Sequence, residues 1–180
     1  MAVLKPSLHT CFTPALLDQY ELKDSIVVVI DVFRATSTIA AALYNGAQCV
    51  VPVATVPEAI QKAQQLGGLA AGERDGKIAE GLEHGNSPLE YSPSFIKGKI
   101  LVLTTTNGTR LLHMALERGA DKIITGSFPN LSAVSKYLWQ SGQNVVLCCA
   151  GWKDRYNLED TLFAGALVSA LQSQYTIHCD

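Results

Sequence analysis

Hydrophobic residues along this chain fall into two rhythms. Residues 26–30, Ile-Val-Val-Val-Ile, form an unbroken β-branched run too short for an ordinary helix, which predicts a strand buried on both faces in the middle of a sheet. Similar short runs at 7–12, 49–51, 69–71, 99–103, 122–125 and 144–149 predict further strands, and 175–179 begins another. Between them, apolar residues recur at helical spacing. Ile39, Ala40, Leu43 and Tyr44 precede an Asn45-Gly46 stop, Pro57 opens a helix closed by Gly67-Gly68, and Leu111, Leu112, Ala115 and Leu116 precede Arg118 and a Gly119 stop. Further helices are predicted after Pro14, after Pro129 and over 157–171. Strand and helix alternate at roughly 25-residue intervals, the signature of βαβ units with right-handed crossovers. The expectation is a single α/β domain over 1–180, a three-layer sandwich with a mostly parallel sheet.

The polar residues come where the apolar runs end. Asp31 stands at the carboxyl end of the 26–30 strand, Arg34 follows in the loop, and Thr36, Ser37 and Thr38 supply hydroxyls suited to capping the next helix. Ligands of open α/β sheets bind in the crevice at these strand ends. A carboxylate, a guanidinium and a helix N-terminus there suit a metal-assisted anion site, or an ion pair that braces the loop. A second polar strand end, Thr-Thr-Thr-Asn-Gly-Thr-Arg over 104–110, has Thr106 or Asn107 placed to cap, Gly108 for close backbone approach, and Arg110 to clamp a phosphate, sulfonate or carboxylate. The plain alternative is a capped helix with a solvated arginine. Glu73, Glu83, Glu159 and Asp160 join Asp31 as oxygen ligands for a hard cation such as magnesium, although Glu159 and Asp160 also suit the dipole of a helix first turn.

Several chemistries are absent from the pattern. No G-x-x-x-x-G-K-[ST], G-x-G-x-x-G or G-x-S-x-G occurs, and Asp31 lacks the second aspartate of an Asp-x-Asp phosphatase. The four histidines (His9, His84, His113, His178) show no zinc spacing, and the five cysteines include no C-x-x-C pair, so they read as small buried hydrophobes. Fourteen basic residues against sixteen acidic, with no basic stripe, argue against nucleic acid and anionic membrane as partners. Neither a signal peptide core nor an apolar run of membrane-spanning length is present, which predicts a cytoplasmic protein. The long polar segments Gly-Glu-Arg-Asp-Gly (72–76) and Gly-Leu-Glu-His-Gly-Asn-Ser-Pro (81–88) have the length of functional or disordered loops.

Taken together, Asp-Val-Phe-Arg-Ala-Thr-Ser-Thr-Ile (31–39), Gly-Glu-Arg-Asp-Gly (72–76), Gly-Asn-Ser-Pro (85–88), Thr-Thr-Asn-Gly-Thr-Arg (105–110), and Cys-Ala-Gly (149–151) followed by Leu-Glu-Asp (158–160) resemble, in order, the signature blocks of the 2-phosphosulfolactate phosphatase family. The resemblance implies an α/β fold peculiar to that family and a Mg2+-dependent phosphatase that releases phosphate from 2-phospho-3-sulfolactate, a step of coenzyme M biosynthesis in archaeal members. Asp31, Arg34, Glu73, Arg74, Asn86, Ser87, Thr106, Asn107, Arg110, Glu159 and Asp160 fall on its polar signature positions. This sequence departs at Phe33, Ser37 and Leu82-Glu83, and Trp152-Lys153-Asp154 replaces a smaller, glycine-containing turn. Family members also continue beyond Asp180, which implies a shortened or fragmentary chain.

On that basis Asp31, Glu73 and Asp160 are the expected metal ligands, and Asp31, Arg34 and Arg110 the expected catalytic residues. Thr36, Arg74, Asn86, Ser87, Thr106, Asn107 and Gly108 are expected to bind the substrate, a small anionic organic phosphate, with Arg155 as a further partner for its sulfonate or carboxylate. A phosphatase for another 2-phospho acid and a non-catalytic module binding such a metabolite remain the alternatives. Self-association is plausible for a short chain with an exposed sheet edge.

Overall fold

The computed structural model describes residues 5–178. Its strands are β1 (Ser7–Cys11), β2 (Ser25–Ile30), β3 (Cys49–Pro52), β4 (Leu69–Arg74), β5 (Lys77–Ile78), β6 (Ile100–Thr104), β7 (Lys122–Gly126), β8 (Asn144–Cys149) and β9 (Thr176–His178). The α-helices are α1 (Ala35–Tyr44), α2 (Val56–Leu66), α3 (Pro93–Ile96), α4 (Gly108–Glu117), α5 (Leu131–Ser141) and α6 (Leu158–Leu171). The expected α/β alternation is present, and the strands form two sheets. The chain accordingly gathers into two compact units, one built from the chain up to Phe33 and again from Leu111, the other from Arg34–Arg110.

In the first unit the strand order is β7-β2-β8-β1-β9, and every pairing is parallel. All six residues of β2 are buried, and β2 runs between β7 and β8, as its β-branched run requires. Its side chains alternate. Ile26, Val28 and Ile30 pack with Val134 and Leu138 of α5 and Phe163, Ala164, Leu167 and Leu171 of α6, whereas Val27 and Val29 face Leu17, Leu22, Leu111 and Ala115. Cys149 and Cys148 likewise fall on opposite faces, one in each cluster. Cys11, Cys148 and Cys149 are buried free thiols, Cys49 is half-buried, and Cys179 lies outside the described residues.

In the second unit the order is β3-β6-β4-β5, parallel except for the short antiparallel β4-β5 pair. One face packs Leu101, Leu103 and Ala71 against Ala42 of α1, Ile96 of α3 and Tyr91; the other packs Val102 and Val53 against Ala59 and Ala63 of α2. Helix α2 has the expected punctuation. Thr55 caps it by accepting the Glu58 amide at 3.2 Å, and Gly67 ends it in the left-handed region.

The long polar connection after β5 is ordered. Gly72 N donates to the His84 carbonyl at 3.0 Å, the Tyr91 hydroxyl donates to the Gly85 carbonyl at 2.6 Å, and Asn45 Nδ2 donates to the Tyr91 carbonyl at 2.7 Å. Tyr91 is fully buried, so one aromatic side chain anchors the loop to the core. Gly72 is required for a different reason. A Cβ there would collide with the Thr104 carbonyl oxygen and lie 2.6 Å from the Thr104 methyl group. Gly72→Ala is therefore expected to destabilise the protein by roughly 1–3 kcal/mol, the usual cost of overpacking against backbone, read as a lower urea midpoint at unchanged m-value. An unchanged midpoint would show that β4 and β6 can separate freely.

Candidate functional site

Each unit carries a cluster of the predicted polar residues at the carboxyl ends of its parallel strands. In the second unit the organising side chain is Glu73, at the end of β4 and 9% exposed. Its Oε1 accepts the Thr106 amide at 2.7 Å and its Oε2 the Gly76 amide at 3.0 Å, so one carboxylate fixes both the turn after β6 and the β4-β5 turn. Arg34 Nη2 donates to the Gly76 carbonyl at 3.0 Å, which brings a guanidinium to the same turn. Arg74 Nη2 donates to Thr104 Oγ1 at 3.0 Å, and Nη1 to the Glu73 carbonyl at 2.6 Å. Arg34, Glu73, Arg74 and Thr106 are thus held in one hydrogen-bonded group.

The turn over 104–108 differs in one respect from the expected cap. Neither Thr106 nor Asn107 caps α4; Thr105 Oγ1 accepts the Thr109 amide at 3.1 Å, and Thr109 Oγ1 accepts the Thr105 amide at 3.1 Å. The reciprocal pair is buried, which leaves Thr106 and Arg110 exposed and Asn107 half-buried at the helix entry. Asn86 is 4% exposed, and its Oδ1 finds no protein donor. A buried amide oxygen left over in this way is a position where a ligand or water donor is wanted. Ser87 next to it is half-buried, and Glu83 is exposed.

Helix α1 also starts differently from expectation. It begins at Ala35, with Arg34 at the N-cap and no side-chain cap, because the helix starts early enough to place Thr36, Ser37 and Thr38 inside its first turn. All three are buried, and Thr38 Oγ1 has no partner.

In the first unit the organising side chain is Asp160, in the first turn of α6 and fully buried. Oδ1 accepts the Val32 amide at 2.8 Å and Oδ2 the Gly151 amide at 3.1 Å, tying the ends of β2 and β8 to the helix. Asn157 caps α6 by accepting the Asp160 amide at 3.0 Å. Burial pushes the Asp160 carboxyl above the usual range, and the hydrogen bonds from Val32, Gly151 and Asn157 oppose that shift. Asp31, 6% exposed, is the residue before Val32, whose amide the Asp160 carboxylate accepts. Glu159 is half-buried and Arg155 exposed.

The turn that departs from the family pattern is a two-residue hairpin. Trp152 N donates to the Arg155 carbonyl at 2.9 Å and Arg155 N to the Trp152 carbonyl at 3.1 Å, while Lys153 and Asp154 take φ of 52° and 57°. Both values lie in the left-handed region favoured by glycine. Gly151, at φ 58°, faces the Arg155 carbonyl so closely that a Cβ would collide with it.

Magnesium commonly takes one or two protein carboxylates and completes its shell with water and phosphate oxygens. Asp31 and Asp160 are carboxylates of the first unit, and Glu73 is one of the second. Each Asp160 oxygen accepts one backbone amide. Glu73 is engaged in the same way by two amides. No group of three or more histidine, cysteine, aspartate or glutamate side chains placed to hold a metal ion occurs among the described residues. No helix of the described residues is long and apolar enough to cross a membrane.

Sequence reasoning did not single out Ser127. It is fully buried directly after Gly126, the register partner of Ile30, and its Oγ lacks a hydrogen-bond partner. Only the Ser-Phe-Pro-Asn turn at the end of β7 could have signalled it.

The family model described as 2-phosphosulpholactate phosphatase matches residues 11–180. A probable 2-phosphosulfolactate phosphatase of Caldanaerobacter subterraneus subsp. tengcongensis is 43% identical over 169 residues, covering 92% of this chain and 69% of that protein. Similarly named proteins of Thermotoga maritima and Clostridium perfringens are 50% and 41% identical, over 81% and 86% of this chain. The matches span 62% and 64% of those two relatives' lengths.

Proposed function

The chain belongs to the 2-phosphosulpholactate phosphatase family, and from that premise we propose that it is a phosphoric monoester hydrolase acting on 2-phospho-3-sulfolactate, with Mg2+ as its cofactor. The observation that carries this reading is the Glu73-centred group. One buried carboxylate holds two turns by their amides, and Arg34 and Arg74 are hydrogen-bonded into the same assembly. Such an arrangement keeps guanidinium groups and a helix entry preorganised for a multiply charged anion.

In this reading Arg34 and Arg110 bind phosphoryl oxygens, where planar guanidinium groups match the geometry. Thr106, Asn107 and Gly108 present the turn, and Asn86 and Ser87 supply neutral polar contacts. Arg74 serves the sulfonate or the carboxylate. Thr36 stays a first-turn residue of α1 on the substrate side. Asp31 and Asp160 are the residues that would hold Mg2+, which when bound would supply positive charge and an acidified water. Glu73 acts as the brace of the turns. Water forms the new bond to phosphorus, the bond from phosphorus to the C2 oxygen breaks, and the departing oxygen takes up a proton. A cytoplasmic setting suits the free thiols.

The test is phosphate release from 2-phosphosulfolactate beside a panel of 2-phospho acids, each with Mg2+ and with chelator. Metal-dependent release with preference for the sulfonate is the expected result. Release from a different phospho acid would reassign the substrate, and no release by a folded protein that still binds these compounds would make it a binding module.

A further inference from the structure

Strand β7 is the edge of the five-stranded sheet opposite β9, and within that sheet only β2 pairs with it. Its sequence, Lys-Ile-Ile-Thr-Gly, is rich in β-branched residues, and the central three are half-buried. An edge of this kind offers a row of backbone groups to any strand of matching shape. At the carboxyl end of β7 that row is occupied by a side chain. Asn130 Nδ2 donates to the Thr125 carbonyl at 3.0 Å, and Asn130 Oδ1 accepts the Ser127 amide at 2.8 Å. Thr125 and Ser127 flank Gly126, the register partner of Ile30 in β2. In a parallel ladder, a neighbour of Gly126 donates its N–H to the carbonyl of the residue before and accepts the amide of the residue after. The Asn130 carboxamide makes both of these bonds.

We propose that Asn130 is an edge guard: its carboxamide stands in for the peptide group of a neighbouring strand at the end of β7, and so keeps that edge from pairing with β7 of a second copy of the chain. Two identical edges related by a two-fold axis pair antiparallel and join two sheets into one, which makes a second copy the natural occupant of an unguarded β7. The guard is held in place before any partner arrives. Pro129 restricts the backbone of the 128–130 turn, and Asn130 N donates back to the Ser127 carbonyl at 3.1 Å. The Phe128 ring meets the buried Phe163 edge-on with centroids 5.4 Å apart, which pins the turn to the core. The same bonds cap the 128–130 turn, as a Ser-x-x-Asn sequence suggests. Capping alone accounts for the bond to Ser127; the bond to Thr125, a strand residue, is what extends the contact along the sheet edge. At the other end of β7 the exposed Lys122 supplies a charge of the kind that also discourages strand addition.

Sedimentation velocity over a range of concentrations, on the whole chain, compares the unaltered protein with Asn130→Ala. The variant should self-associate more strongly, while Asn130→Asp, which keeps the acceptor for Ser127 and adds a charge at the edge, should not. Adding Thr125→Pro to Asn130→Ala removes an amide that faces the same side as the Thr125 carbonyl, so the double variant should return to the behaviour of the unaltered protein. Where alanine lowers the yield of folded protein, Asn130→Gln, one methylene too long for both bonds, carries the same expectation. Amide hydrogen exchange gives a second readout. Loss of one hydrogen bond should speed exchange at Ser127 roughly three- to tenfold in Asn130→Ala and leave it unchanged in Asn130→Asp. Folded Asn130→Ala that sediments like the unaltered protein, association that Thr125→Pro leaves in place, or a Ser127 amide that exchanges at one rate in all three proteins would each overturn the proposal. None of these results bears on the phosphatase reading, which is tested separately by phosphate release.

Discussion

Asp160→Ala is expected to lower folding stability by roughly 2–6 kcal/mol, two buried amides left without acceptors at about 1–3 kcal/mol each. The carboxylate is fully buried and satisfies the amides of Val32 and Gly151, both themselves buried. Alanine leaves two amides without acceptors at the ends of two core strands, a loss comparable to much of the net stability of a domain. Asp160→Asn keeps one oxygen but turns an N–H2 toward the other amide, so about half the penalty should remain. The pH dependence has a definite sign. Burial is the largest influence and raises this carboxyl in the folded state. The folded protein therefore binds its proton more tightly than the unfolded chain does. The stabilisation from that shift is fully present below the ordinary carboxylate range and is lost as pH rises through the raised value. The difference between the unaltered protein and Asp160→Ala should thus be greatest in acid and shrink toward neutrality. Urea midpoints across that range provide the measurement, and a loss below about 1 kcal/mol in acid would mean that the two amides find other acceptors.

The second large effect is on activity. Arg34→Ala should lower kcat/KM on 2-phosphosulfolactate by about 10²- to 10³-fold, the usual cost of removing one donor to developing negative charge. Arg34→Lys should recover little of it, because an ammonium keeps the charge but loses the planar fork. Folding should survive both changes, since the hydrogen bond from Arg34 to the exposed Gly76 turn is a small part of the structure. Circular dichroism and the urea midpoint separate the two outcomes. Turnover near that of the unaltered protein, in either variant, would remove Arg34 from the site and leave it as a fastener of the β4-β5 turn.

Much of the fold is legible in the sequence for simple reasons. The β2 run contains only β-branched residues in a stretch too short for a helix, and Gly67 and Thr55 punctuate α2 as their conformational preferences dictate. The division of the strands between two sheets leaves no such mark. Both halves use the same βα rhythm, and the chain passes from one unit to the other at Phe33 and Leu111 without a glycine- or proline-rich linker. The site shows the same contrast. Arg34, Glu73, Arg74 and Thr106 lie in polar strand ends and stand out, and the structure joins them. What the sequence conceals is how the carboxylates bond. Both carboxylate oxygens of Glu73 and of Asp160 accept backbone amides, Thr106 and Gly76 for Glu73 and Val32 and Gly151 for Asp160, pairings that no local motif announces. Thr105, not its neighbours, caps α4 because its hydroxyl is turned inward to meet Thr109.

The strand order also dictates a timetable for synthesis. Strands β1 and β2 are made first, but their partners in the sheet are β8 and β9, and β7 and β8, respectively. Among the described residues, neither early strand meets its sheet partners until the ribosome has passed Lys122. The unit Arg34–Arg110, by contrast, is one continuous stretch whose strands pair only among themselves. It emerges complete while the apolar β2 run still awaits neighbours, so the nascent chain carries a finished unit beside an exposed β-branched segment, the state in which a chaperone's protection counts most.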